Sequence, residues 1–500
     1  MRKVKVYRYV LAKVGLLILL VTGCSEWDET YSSRPGLRLG FSVDTLSFDT
    51  VFTTIGSATR QFMVYNTNKE ALLIRSVRLA KGGRMGFRLN VDGHSGESFS
   101  DIRVEGRDSL YVFVEVTVDP VGADQPLLIE DRIEFTVNST TQSLLLQAYG
   151  QDVNLYKGGL VLTQDTLWTA ERPYLIYDSI VVGSGMTLTI EKGASLYMHN
   201  KAKWIIDGRI KAIGTLEQPI VFRGDRLDDL LTDLPYDRIA NQWDGLYFGA
   251  ASFGNEMNHV VIRNGEGGLR FLESLAGEPK LRIENSQITN MEQSVLEAVN
   301  CTIEAINTEF SNATQSILSL SGGDYHFIHC TVANYYIINP GRMGMPVLSL
   351  KNYTGDEQAE KKPLPLNVVF DNCLIDGSFS EGNTPLGGEL LIDKADEGEL
   401  NYRFNHCAIK TMKIGDTCFV NTQFIHKDHP TRYKSIGNDE NNYSFDFRPD
   451  TTKAVIGKAD PALATRYPLD RLGIDRTVSE DGPDIGAYEY VPDPEKENES

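Results

Sequence analysis

The chain has 500 residues, of which 49 are Lys or Arg and 68 are Asp or Glu, for a net charge of −19. That length exceeds one ordinary core and suits a small domain followed by an elongated one, while the acidic balance excludes nucleic acid as a partner, because phosphate binding needs a basic face. The same balance disfavours polyanionic glycans, although a local Lys/Arg patch on a long molecule escapes the average.

Arg2, Lys3, Lys5, Arg8 and Lys13 lead into an apolar run from Val14 to Val21. This is the layout of an export signal, and the run is shorter than the roughly 20 residues of a stable membrane span. Leu20-Val21-Thr22-Gly23-Cys24 resembles the lipobox of Gram-negative bacterial lipoproteins. The resemblance implies cleavage of residues 1–23 as a signal peptide and acylation of Cys24 as the new first residue; durable attachment needs more than one acyl chain. Ser25 after the Cys implies the outer membrane, and Glu26, Asp28 and Glu29 resemble tethers of surface-exported lipoproteins. The expected location is therefore the outer membrane, lipid-anchored at the cell surface. Five basic and no acidic residues leave with the signal, so 44 basic side chains face 68 acidic ones, a net charge of −24.

Residues 24–36 read as a tether, with Ser32, Ser33, Pro35 and Gly36. Residues 37–155 show about seven short alternating runs, among them Arg60 to Tyr65, Leu72 to Leu79 and Leu110 to Val118, separated by turn signals such as Lys81-Gly82-Gly83 and Val91-Asp92-Gly93. Such spacing predicts an immunoglobulin-like β-sandwich. The phrases Leu46-Ser47-Phe48-Asp49-Thr50-Val51-Phe52 and Val112 to Gly122 resemble bacterial members of the abnormal-spindle/Hydin sandwich family, which implies a spacer or adhesive module. His94 lies in a polar loop and is assigned no role.

From residue 156 to 490 the pattern is that of a solenoid. Ile180 to Phe222 carries short apolar runs separated by glycines at corners, and Gln242 to Phe248 continues it; Gly159 to Trp168 reads as an atypical first rung that caps the stack. The insertion from Asp225 to Asn241 holds five Asp residues but no known calcium-loop spacing, so solvated surface is expected there. Between residues 257 and 426 a phrase recurs: Ile283-Glu284-Asn285-Ser286-Gln287-Ile288, Ile306-Asn307-Thr308-Glu309-Phe310, Ile328-His329-Cys330-Thr331-Val332, then its counterparts at Asn372, His406 and Asn421. The first three lie 22 residues apart, a period too short for a unit to bury its own apolar face. Alternation at a spacing of two makes the rungs strands. The whole resembles the right-handed parallel β-helix family of surface and secreted proteins, which includes many polysaccharide lyases and hydrolases. The fold class expected is thus all-β: a sandwich, then a right-handed parallel β-helix.

In that fold His259, Asn285, Asn307, His329, Asn372, His406 and Asn421 are expected to form a structural corner ladder. Cys301, Cys330, Cys373, Cys407 and Cys418 read as small buried residues, without metal-ligand spacing. Insertions at Asn352 to Pro365 and Ser378 to Gly388 are expected to flank a groove, with Trp243, Tyr335, Tyr336 and Tyr353 as candidate platforms for sugar rings. The segment from Asp460 to Tyr490 resembles the terminal cap of secreted β-helix proteins, in which Asp475, Arg476 and Asp484 are expected to pair; residues 491–500 read as a disordered tail.

Catalysis finds little support. Glycoside hydrolysis needs converging carboxylates, and the hydrolase family's NTD and GHG signatures are absent. A lyase needs a Lys or Arg base beside a charge neutraliser, and Lys351, Arg403 and Lys410 read equally well as outward solubilising charges. No catalytic residue, metal or cofactor is assigned. The expectation is a noncatalytic, lipid-anchored envelope protein that presents a β-helix face to a polysaccharide or protein ligand. The alternatives are a polysaccharide lyase or glycoside hydrolase with an unrecognised site, and a structural envelope component.

Overall fold

The computed structural model describes residues 31–120, 122–231, 234–274, 278–355, 360–379, 387–426, 430–438, 440, 443–451 and 453–492. Residues 1–30, with the signal segment and Cys24, lie outside the described residues, as does the tail from 493 onward.

The chain is all-β and divides into two units, residues 1–151 and 152–500. The first is a sandwich of two five-stranded sheets. Its alternation follows the sequence: on Ser109–Val116, Leu110, Val112, Val114 and Val116 face the core while Tyr111 and Glu115 face out. The division falls slightly before the expected residue 155, because Asn154–Tyr156 already pairs in parallel with Tyr174–Ile176 as the first strand of the coil.

The second unit is a parallel β-helix. An 11-stranded sheet runs from Asn154–Tyr156 to Gln423–Phe424, and a 17-stranded sheet carries the other two strand positions of each coil. Strands Leu296–Ile306 and Leu318–Ile328 run through both of those positions without a break. Register is fixed by inward files of like residues: Ile180, Trp204, Leu246, Leu269, Leu296, Leu318, Leu348 and Leu390 pair one above another, and all are fully buried. Phe327, Phe370, Phe404 and Phe419 stack face to face at 4.8, 5.0 and 4.9 Å, the spacing that parallel strands impose. Cys330, Cys373 and Cys407 form a similar buried file of free thiols. At the start of the stack Trp168 lies 4.2 Å from Tyr174 and 5.6 Å from Tyr156, closing the first rungs with stacked rings.

The Asn/His slot is a left-handed corner. His259, Asn285, Asn307, His329, Asn372, His406 and Asn421 all have φ between 47° and 54°. In that region Asn and His are enriched and β-branched residues are penalised. Hydrogen bonds link part of the file: Asn307 donates to Asn285 (3.3 Å), Asn285 to Asn258 (3.0 Å), Asn372 to His329 Nε2 and Asn421 to His406 Nε2 (both 3.0 Å). A second left-handed file, Asn264, Asn290 and Asn312, turns another corner and was not legible in the repeat phrase.

The C-terminal segment covers the outer face of the 11-stranded sheet. Ile485, Ala487 and Tyr488 pack with Tyr433, Phe447 and Val455 on the apolar outward residues Ala333, Leu374 and Ala408. Ala487 N–H donates to Thr331 Oγ1 and Gly486 N–H to the Asn372 carbonyl. The expected ion pairs differ in partner: Arg476 pairs with Glu489 at 2.5 Å, both buried, and also donates to Asn307 Oδ1. Asp475 instead accepts from Thr477, and Asp484 from the backbone of Gly457 and Tyr490, because the buried guanidinium points into the sheet corner.

Candidate functional site: a polar-rimmed groove on the outer face of the long sheet

Side chains at i and i+2 of a strand share one face, so successive coils lay outward residues in parallel rows. One row follows the register Lys211, Glu256, Arg282, Glu304, His326, Val369 and Arg403. Beside it, nearer the start of each strand, runs a second row of Thr302, Asp324, Asn367 and Asn401. Between them lies a groove of about 600 Å³ with a largely apolar floor, to which Pro279, Leu281, Ile303, Tyr325 and Val369 contribute, rimmed by the polar side chains of Arg282, Thr302, Glu304, Asp324, His326 and Asn367. Residues 360–365 lead into strand Leu366–Asp371, and the turn 394–399 leads into Leu400–Asn405, so both approach the strand ends nearest Asp324, Asn367 and Asn401. Buried Asn352 holds the second loop, accepting from Ala395 N–H at 2.7 Å and donating to the Gly398 carbonyl at 3.1 Å.

The rows are internally wired. Asn401 donates to Asn367 Oδ1 (2.8 Å) and Asn367 to Asp324 Oδ1 (2.9 Å), a chain that repeats with the coils. Arg282 pairs with Glu284 on its own strand and with Glu304 one coil on. His326 Nε2 lies 2.7 Å from Asp371 Oδ2, and Asn405 donates to the other oxygen at 3.0 Å. Burial opposes charge on Asp371, but the hydrogen bonds from His326 and Asn405 and the nearby cations outweigh it and hold its carboxyl below the usual range. That hydrogen bond fixes the orientation of the imidazole, which lines the groove.

The sequence-predicted sites fall elsewhere. Trp243 is fully buried, with its indole N–H on the Arg263 carbonyl at 2.9 Å. Tyr336 is buried and accepts from Ala240 N–H; Tyr353 is buried with its hydroxyl on Asp393; Tyr335 lies among Tyr433 and Phe447 with its hydroxyl on Asp376. None of the four presents a free ring face, so they are packing residues and not sugar platforms. Lys410 is also not a solvated charge: it is largely buried, 3.7 Å from Asp376, and donates to the Gly377 carbonyl. Arg403 is exposed, as expected. The groove itself was missed because Glu304, Asp324 and His326 sit on unremarkable alternating strands, and only coil register brings them together.

Two further carboxylates, Asp376 and Glu389, are buried near each other but saturated. Glu389 accepts two bonds from Arg342 (2.8 Å each) and one each from the backbone of Val347 and Phe379. Asp376 accepts from Tyr335, Tyr433 and Gly377 N–H. Fully buried and with their lone pairs largely engaged, they brace the strands that carry them and offer nothing to a substrate. In the insertion 225–241 three of the carboxylates expected to be solvated are instead paired, Asp225 with His199 at 2.7 Å, Asp228 with Arg226 at 2.6 Å and Asp237 with arginines, while Asp229 is exposed as expected and Asp233 lies outside the described residues. Among the described residues, no group of three or more His, Cys, Asp or Glu is placed to hold a metal ion.

Fold and groove together define an all-β protein of two units, a sandwich and a parallel β-helix with a polar outer band. No family model matches the chain. A stretch of 99 residues is 35% identical to Protein bark beetle of Drosophila melanogaster, which is 20% of this chain and 3% of that protein, so the chain spans only a small fraction of that relative. Among solved structures, the catalytic domain of a GH87 alpha-1,3-glucanase in complex with tetrasaccharides is similar over 70% of this chain and 81% of its own, at 9% identity and a TM-score of 0.21. The ASH/PapD-like domain 7 of human CEP192 is similar over 26% of this chain and 96% of its own, at 12% identity and a TM-score of 0.17. With TM-scores this low the likenesses carry no argument about activity, and the architecture rests on the strand pairing itself.

Proposed function

We propose that the chain is a lipid-anchored outer-membrane protein of a Gram-negative cell surface that binds a glycan along the groove of Arg282, Glu304, Asp324, His326 and Asn367. The observation that carries this reading is the wired row Asp324, Asn367 and Asn401, which repeats hydrogen-bonding groups at the strand spacing of about 4.8 Å. A linear polymer of hydroxyl-bearing units laid along the coils meets a new donor and acceptor at each rung. The sandwich serves as a stalk between anchor and coil, and Cys24 as the acylated residue.

A glycan array probed with the full chain tests the reading. Replacing Asp324 and Asn367 together by Ala weakens retention at least tenfold, about 1.4 kcal/mol, with unchanged thermal melting; an array on which the wild type retains nothing sinks it. For the anchor, Cys24→Ala moves the protein from the membrane to the soluble fraction, and protease added to intact cells removes the wild type.

One observation favours a second reading, that the groove also cleaves its glycan. His326 oriented by Asp371, with Glu304 on the neighbouring coil and Asp324 two residues away on its own strand, has the parts of a general acid–base pair. Formation of reducing-end or unsaturated products that is lost in His326→Ala selects it over pure binding.

A further inference from the structure

The 11-stranded sheet carries a concentration of positive charge that the groove does not use. Arg223 and Arg263 sit on adjacent coils at consecutive positions of one outward row, since Phe222 pairs with Ile262 immediately before them. Arg238 joins them from the insertion, and a single carboxylate serves all three. Asp237 Oδ1 lies 3.1 Å from Arg223 and 3.0 Å from Arg263 Nε, and Oδ2 lies 3.3 Å from Arg238. Three guanidiniums against one carboxylate leave two uncompensated positive charges, in a chain whose net charge is −19.

The side chains are 13–30% exposed, so water screens them only in part. The two other described ion-paired carboxylates of the insertion, Asp225 and Asp228, are engaged with His199 and Arg226. Arg238 Nε and Arg263 Nε are buried without a hydrogen-bond acceptor among the described residues, and Asp237 Oδ1, although close to two cations, closes no well-aligned bond. Burial and repulsion from Arg223 and Arg238 push the Arg263 guanidinium below its ordinary value in spite of Asp237. Arg223 donates to the carbonyls of Gly224 (3.2 Å) and Arg226 (3.0 Å), so the unused donors belong to Arg238 and Arg263; like charges held this close are stabilised by a further anion, and the guanidinium fork suits carboxylate and sulfate oxygens.

We infer that Arg223, Arg238 and Arg263 form a binding notch for the carboxylate or sulfate group of an acidic polysaccharide, part of which Asp237 occupies in the free protein. The loop does not depend on Asp237 for its place. Asn264 donates to the carbonyls of Asp237 (2.9 Å) and Ile239 (3.0 Å), Gln242 donates to Ile239 (2.8 Å), and Ala240 N–H reaches the Tyr336 hydroxyl (3.1 Å). The site lies on a different sheet from the groove and stands whether or not the groove binds glycan.

Titration calorimetry on the full chain compares a galacturonate oligomer, a sulfated oligosaccharide, a neutral cello-oligosaccharide and inorganic sulfate. The two acidic oligomers bind, with affinity that falls as salt rises, and the neutral one does not bind here. Arg238→Gln weakens the acidic oligomers about tenfold, and Asp237→Asn, which removes the competing carboxylate, tightens them by about the same factor. The paired Asp324 and Asn367 replacements leave this binding unchanged, which separates it from the groove. Equal affinity for inorganic sulfate and the oligomers overturns the polysaccharide assignment. An unaffected Arg238→Gln, or a weakened Asp237→Asn with unchanged melting, overturns the site.

Discussion

Asn285 and His329 occupy the same slot for a reason that lies in the backbone: φ is 49° and 50°, where a Cβ branch collides with the chain. Side-chain hydrogen bonding is secondary, because the file is bonded only in segments. Asn285→Val is therefore expected to cost about 1–2 kcal/mol and Asn285→Gly less, read from denaturant midpoints. His329 adds a titration. It is buried, and burial together with Arg476 holds its pKa well below the ordinary histidine value. The folded state thus refuses a proton that the unfolded chain accepts near pH 6.5. Stability is lost as pH falls below that value, and His329→Asn, which keeps the corner but cannot titrate, flattens the loss in melting curves between pH 7 and 5.

The C-terminal segment is the element whose docking is most exposed to single changes. Gly486 has φ of 104°, and a Cβ there lies 2.7 Å from Thr331 Oγ1, so Gly486→Ala is expected to lift the segment from the sheet. The buried Arg476 and Glu489 pair gives a separate handle. Burial pushes the Glu489 carboxyl up to about 7, with Arg476 beside it restraining the rise. The folded state holds this proton more tightly than the unfolded chain, so its contribution is present below about pH 4.5 and is lost as pH rises through about 7. Its slope opposes that of His329. Glu489→Gln removes only the loss on the rising side, whereas Arg476→Met, which strands a buried carboxylate, costs about 3–5 kcal/mol near neutral pH.

At the scale of the molecule, the coil was legible because its information is local and repeated. The 22-residue spacing of Asn285, Asn307 and His329 and the alternation around them are enough to dictate stacked strands. The groove and the arginine notch were not legible, because each draws residues from coils joined only by register: Asp324 meets Asn367 across 43 positions and Asn401 across a further 34. Side-chain direction was lost in the same way at corners and insertions, where Trp243 and Tyr336 turn inward although their neighbours offer no periodicity to say so. Stacking also makes stability a nearest-neighbour property. Leu318 is clamped between Leu296 and Leu348, whereas Leu160, in the first rung, pairs only with Ile180. Leu318→Ala is expected to cost about 2–5 kcal/mol and to speed amide exchange in the coils on both sides, while Leu160→Ala costs less and its effect stays at the start of the stack. Equal losses from the two replacements would mean that the coils do not lend one another cover, and the solenoid account of this chain would fail.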